Sequence, residues 1–142
     1  MKKGLILIFA LLAVTLASAQ GNKGIDFRNV KLSALLQKAK AEKKLAFVDV
    51  YASWCGPCKA MEANVYPQQK VGDYFNKYFV SAKYDAEQGE GIEIARKYRV
   101  TAYPTYLLLD AEGNLVGKMV GGSPADDFIK KIEALRQKAL QK

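Results

Sequence analysis

Histidine is absent from the 142-residue chain and cysteine occurs only twice. Two thiols without an imidazole cannot close a four-ligand zinc site of the usual Cys/His kind, although two thiolates could still hold Cu(I). Two cysteines also allow a single intramolecular bridge at most, which excludes a disulfide-stapled mini-protein. With half its composition hydrophobic, the chain is instead long enough to build one globular domain around a real core. Acidic residues are under-represented, 14 against 22 basic ones, for a net charge of +8. That balance invites a nucleic-acid reading, but the lysines scatter along Lys31 to Lys44 and Lys130 to Lys142 without an aromatic-interleaved stripe. A solvated surface is the better reading, with no nucleic-acid partner, and nothing motivates a membrane surface or an acidic partner. Internal repeats and low-complexity tracts are missing too.

The apolar run Leu5 to Leu16 is shorter than the about 20 residues that a membrane span needs. It follows Met1-Lys2-Lys3 and ends in Ala17-Ser18-Ala19, a small-x-small pattern, so residues 1–19 read as a cleavable secretory signal peptide and 20–142 as the exported domain. No cysteine stands near the cleavage point, which argues against a lipid-attached chain. Losing Lys2 and Lys3 lowers the net charge to about +6.

Both cysteines lie in Trp54-Cys55-Gly56-Pro57-Cys58-Lys59 and therefore meet an oxidising compartment, expected to be the periplasm. A bridge between them encloses almost no chain, and so short a loop contributes little entropic stabilisation. Redox chemistry explains the pair better than stapling does.

The rest of the chain reads as alternating elements. Leu32, Leu35, Leu36 and Ala39 recur at helical spacing, and Leu45 to Tyr51 has the continuous apolar, β-favouring character of a strand buried on both faces. A helix runs from Cys58 until Pro67 interrupts it, resuming from Val71 to Phe79; Val80 to Asp85 is a strand and Gly91 to Tyr98 a short helix. Thr105 to Leu109 and Leu115 to Val120 flank the turn Asp110 to Asn114 as an antiparallel hairpin. Ser123-Pro124 reads as the cap and first turn of a last helix carrying Phe128, Ile129, Ile132 and Leu135. With a short edge strand near Ile25 to Phe27, this is an α/β chain: a central mixed sheet with helices on both faces. The cysteines fall where a buried strand hands over to a helix, a favoured site position in such sheets.

Only a thiolate attacks a disulfide, and an ordinary thiol is mostly protonated at neutral pH. At a helix N-cap, Cys55 has its anion favoured by unpaired backbone N–H groups and the helix dipole, and it is expected to be the exposed nucleophile. Cys58, one turn on and facing inward with Met61, is expected to resolve the mixed disulfide. Pro57 suits a first helical turn, and Gly56 lets a partner approach the sulfur closely. Asp49 is the one acid in an apolar strand, six residues before Cys55. It reads either as a buried proton acceptor for Cys58 or as a carboxylate reaching solvent from the strand end. Trp54 and Tyr51 flank the site as core packing or as partner contact. Tyr103-Pro104 would be trans by frequency alone, with the proline as strand-starting punctuation.

The runs Phe47-Val-Asp-Val-Tyr-Ala-Ser-Trp-Cys-Gly-Pro-Cys-Lys59 and Tyr98-Arg-Val-Thr-Ala-Tyr-Pro-Thr105 together resemble the thioredoxin family over essentially the whole chain from Gly24 onward. The resemblance implies a thioredoxin fold, with Cys55 attacking, Cys58 resolving, Asp49 the buried acid and Pro104 a cis-proline facing the cysteines. It further implies Lys83 as the neighbour of the acid, and Gly121 or Gly122 lining a partner groove beside Trp54, Gly56, Pro57 and Tyr103. Tyr51 stands where the family usually has a tryptophan, and Ala63 replaces the proline that kinks the active-site helix. The segment Cys58-Lys-Ala-Met-Glu-Ala-Asn-Val-Tyr66, together with the leader, looks more like exported relatives than the cytosolic protein.

The expected function is an exported thiol:disulfide oxidoreductase, a reductase by its Gly-Pro spacer, acting as a monomer on protein disulfides and needing neither cofactor nor metal. In an oxidising compartment it implies a membrane-embedded dithiol donor. Its rivals are a non-catalytic binding module of the same fold, a disulfide oxidase or isomerase, and copper carriage.

Overall fold

The computed structural model describes residues 23–141, so the expected leader lies outside the described residues. Helix α1 (Leu32–Glu42) buries Leu32, Leu35 and Ala39, three positions on one face, and is stopped by Lys43 in the left-handed region (φ 54), whose N–H bonds back to Ala39 and Lys40. Strand β1 is only Phe27–Arg28, and β2 spans Leu45–Tyr51 with its five inner residues buried. After β2 come α2 (Gly56–Asn64), α3 (Gln69–Tyr78), β3 (Phe79–Asp85) and α4 (Glu90–Lys97). The hairpin β4 (Thr105–Leu109) and β5 (Leu115–Val120) precedes the final helix, α5 (Ala125–Leu140).

The sheet order is β1-β3-β2-β4-β5, with β1, β3 and β2 parallel and β4 antiparallel to both its neighbours, β2 and β5. That is the mixed sheet expected, and β2 lies at its centre because both its faces are apolar. On one face Val48 and Val50 pack with Leu35 and Ala39 of α1 and Ile94 of α4. On the other, Phe47 packs with Met61 of α2, Phe75 of α3 and Phe128 of α5, with ring centroids 4.7 Å (Phe47–Phe75) and 5.1 Å (Phe75–Phe128) apart. Each such phenyl removed from water contributes about 2–3 kcal/mol.

The hairpin has the expected bounds, because the Asp110 carboxylate accepts the backbone N–H groups of Glu112 (3.0 Å) and Asn114 (2.9 Å) and closes the turn itself. Two expectations are corrected. The active-site helix starts at Gly56 rather than Cys58, since Pro57 is preset for a first helical turn. The Ser123 hydroxyl does not cap α5: Pro124 is the cap residue, no side chain caps it, and Ser123 Oγ is buried without a partner. Asp126 and Asp127 in its first turn complement the helix dipole instead.

Candidate active site

The route to the site begins where β2 ends. Beyond Tyr51 the chain turns through Ala52, whose carbonyl accepts the Cys55 N–H at 3.1 Å, and Cys55 becomes the N-cap of α2. Its Sγ accepts the Cys58 backbone N–H at 3.2 Å. The two residues, Cα atoms 5.3 Å apart, are joined as a disulfide. Cys55 was expected to be exposed, but it is 2% exposed and Cys58 4%. In the oxidised form the Cys55 sulfur turns onto Cys58 under Ala52, Tyr51 and Tyr103.

Around the pair stand the other residues singled out in the sequence. The Tyr103–Pro104 peptide is cis, as the resemblance implied and frequency did not, and the Pro104 carbonyl accepts the Gly121 N–H at 2.8 Å. Gly121 has φ +90, a conformation that side chains rarely adopt. Trp54 is 64% exposed, so its alternative role as core packing is excluded; its indole N–H donates to Glu87 Oε1 at 2.8 Å and its ring meets Tyr103 edge-on at 5.9 Å. A Cβ on Gly56 would meet nothing within 4 Å, so that side is open. Beside the cysteines runs a largely apolar groove of about 440 Å³, lined by Pro57, Met61, Tyr103, Gly121, Gly122 and Ser123 among others. Gly122 leaves room for Met61, whose Cγ and Sδ would lie 3.1 Å from an added Cβ.

Asp49 lies below this rim, inside the sheet, with its register partners Lys83 on β3 and Tyr106 on β4. It is buried, which excludes a carboxylate reaching solvent. Oδ2 accepts from the Tyr66 hydroxyl at 2.8 Å, Tyr66 and Tyr106 hydroxyls are 3.0 Å apart, and Oδ1 has no hydrogen-bond partner. Burial pushes the carboxyl up to about 6, against the downward pull of the Tyr66 bond and the Lys83 charge. The Lys83 ammonium, lowered by its own burial, is ion-paired with Glu62 of α2 and sits over the rings of Tyr51 (5.0 Å) and Phe27 (5.5 Å).

The structure thus gathers Cys55, Cys58, Trp54, Gly56, Pro57, Tyr103, Pro104 and Gly121 at one rim, with Asp49 and Lys83 beneath. Sequence reading missed Glu62, Tyr66 and Tyr106. Glu62, one helical turn past Cys58, could have been found from spacing, whereas the two tyrosines carry no local signal. Among the described residues no group of three Cys, Asp or Glu side chains could hold a metal ion.

A thioredoxin-like domain family model matches residues 32–136. Mitochondrial thioredoxin-3 of Saccharomyces cerevisiae is 38% identical over 99 residues, 70% of this chain and 65% of that protein. The thiol:disulfide interchange protein DsbD of Tatumella citrea is 29% identical over 124 residues, 84% of this chain but 22% of DsbD. The solution structure of a provisionally assigned disulphide-isomerase from Bacteroides thetaiotaomicron superimposes with a TM-score of 0.74 at 42% identity, covering 81% of this chain and 95% of that one. The chain therefore spans about two thirds of the yeast protein and about a fifth of DsbD.

Proposed function

The chain belongs to the thioredoxin-like family of thiol:disulfide oxidoreductases, and from that premise we propose that it is an exported reductase of protein disulfides. The observation that carries the reading is the Cys55–Cys58 disulfide at the N-cap of α2, with the Cys58 N–H already aimed at Cys55 Sγ beside the cis-proline. In the dithiol form, that N–H and the helix dipole stabilise a Cys55 thiolate. The thiolate attacks one sulfur of a partner disulfide, forming the Cys55–partner bond and expelling the second partner sulfur as a thiolate that takes a proton. Cys58 then loses its proton to Asp49 and attacks Cys55 Sγ. The Cys55–partner bond breaks with its electron pair going to the partner sulfur, and the Cys55–Cys58 bond forms. Two electrons pass from the protein dithiol to the partner. Trp54, Tyr103 and Gly121 frame the partner chain, which lies across the groove.

Returning the pair to the dithiol needs an electron source, for which a membrane-embedded dithiol donor is the fitting class. On this reading the leader is cleaved near Gln20 and the mature chain acts as a monomer in the periplasm. Disulfide isomerase is the second reading, favoured by the description of the Bacteroides structure.

Insulin reduction with dithiothreitol, together with equilibration in glutathione buffers, tests the proposal. The wild type should turn over with a potential near the about −270 mV of thioredoxin rather than the about −120 mV of a strong oxidant. Cys55→Ser should lose essentially all turnover; equal activity in both proteins, or a potential at the oxidising end, overturns the reductase.

A further inference from the structure

We propose that Tyr66 is a positioning residue for the second exchange step: its hydroxyl ties Asp49 Oδ2 and leaves Oδ1 as the one carboxyl oxygen free to take the Cys58 proton. This rests on the reading of Asp49 as that proton acceptor. Tyr66 lies in the connection between α2 and α3, and its backbone is held on both sides, its N–H by the Met61 carbonyl (2.9 Å) and its carbonyl by the Ile25 N–H (3.0 Å). Its ring packs edge-on against Phe27 at 5.1 Å and tilted to Phe128 at 6.1 Å. The hydroxyl is therefore delivered to Asp49 by a fixed backbone and a packed ring.

The direction of the hydrogen bonds follows from counting protons. An ionised carboxylate only accepts, so the Tyr66 proton goes to Oδ2, and the 3.0 Å contact must then be Tyr106 donating to Tyr66. Burial and the Asp49 charge hold both phenols protonated. Two hydroxyls in series thus end on one carboxylate oxygen, while the other is buried and unpartnered. Such an orphan is costly, and its cost falls when it takes a proton. A buried carboxyl with no donor would stay protonated and could accept nothing; one with both oxygens occupied would be a poor base. A single donor chain avoids both extremes.

The titratable and charged groups that bear on Asp49 are Tyr51 on its own strand, Lys83 on β3, Tyr106 on β4 and Tyr66 on the α2–α3 connection, and Cys58 on α2 is the thiol it is proposed to serve. Glu62, also on α2, bears on it through Lys83. Of these, Tyr66 alone hydrogen-bonds the carboxyl.

Stopped-flow reaction of the reduced protein with an aromatic disulfide such as dithiobis-nitrobenzoate separates the two steps. Cys55 attack releases the first thionitrobenzoate, and Cys58 attack on the mixed disulfide releases the second with its electron pair. The rate of the second phase, followed against pH, should inflect at the Asp49 titration. Tyr66→Phe removes a bond to the charged form, so the inflection should move up by about one pH unit, slowing that phase about twofold at pH 7 and by up to about tenfold below the wild-type inflection, and recovering at alkaline pH. Its first phase should be unchanged. Tyr106→Phe should move the inflection the same way by less, and serves alone if Tyr66→Phe fails to fold. Asp49→Asn should abolish the inflection. A wild-type profile in Asp49→Asn overturns the role of Asp49 and this inference with it. An abolished inflection there, but an unmoved one in the phenylalanine variants, overturns the role of Tyr66 alone.

Discussion

Asp49 opposes folding at the pH where it is proposed to act. Its carboxyl titrates at about 6 in the fold against 3.8 for an ordinary aspartate. Between those values the folded chain holds a proton that the unfolded chain has released, so stability falls as pH rises through the window and stays low above it. About two pH units corresponds to on the order of 3 kcal/mol. Asp49→Asn cannot ionise and keeps an oxygen for Tyr66, but buries an unpaired amide that returns about 1–2 kcal/mol of the gain. In denaturant unfolding of the oxidised protein, wild-type stability should therefore drop between pH 4 and 7 relative to Asp49→Asn, leaving the variant more stable by roughly 1–2 kcal/mol at pH 8. Parallel stability curves across that range would show that the carboxyl is not buried as a titrating acid.

Packing overrides local preference among the helices most clearly at Gly91, in the first turn of α4 where it crosses the end of β3. A Cβ there would be driven into the backbone carbonyl of Asp85. Helix propensity alone says that Gly91→Ala should gain about 1 kcal/mol. The clash is with backbone, which cannot swing away as a side-chain tip can, so the variant should instead lose roughly 2–4 kcal/mol, read from its denaturation midpoint. A midpoint equal to or above wild type would mean that α4 can lift off β3 freely. The same contrast explains what was legible in the chain. Periodicity and turn chemistry are local, so the buried run of β2, the helical spacing of α1 and the Asp110 to Asn114 hairpin could be read directly. Ser123 reads as a cap by residue type, yet its hydroxyl is taken out of use by the path of the chain into α5. The hydroxyl chain on Asp49 joins residues 17 and 40 positions apart, and no periodicity reports such a meeting. Nor could residue order tell that Cys55, at an N-cap, is covered when oxidised.

On the scale of the whole molecule, two apolar cores on opposite faces of the sheet hold the fold, and the Cys55–Cys58 bridge, closing so short a loop, adds little to either. The pair is therefore free to open and close without unfolding the domain, and its state in the cell is set by whatever it exchanges with. In an oxidising compartment a low-potential pair left alone would be drained to the disulfide. If the chain is exported and recharged by a membrane dithiol donor, acid quenching and thiol alkylation of intact cells should recover a mature protein beginning near Gln20, with Cys55 and Cys58 mostly reduced while other exported proteins carry their disulfides. Cys58→Ser in the same cells should accumulate Cys55 in mixed disulfides, because attack proceeds and resolution does not, and those partners would be the reductase's substrates. A pair found fully oxidised in wild-type cells would mean that electrons flow the other way, making the protein an oxidant of its partners. Recovery of the chain with residues 1–19 attached would place it outside the proposed route altogether.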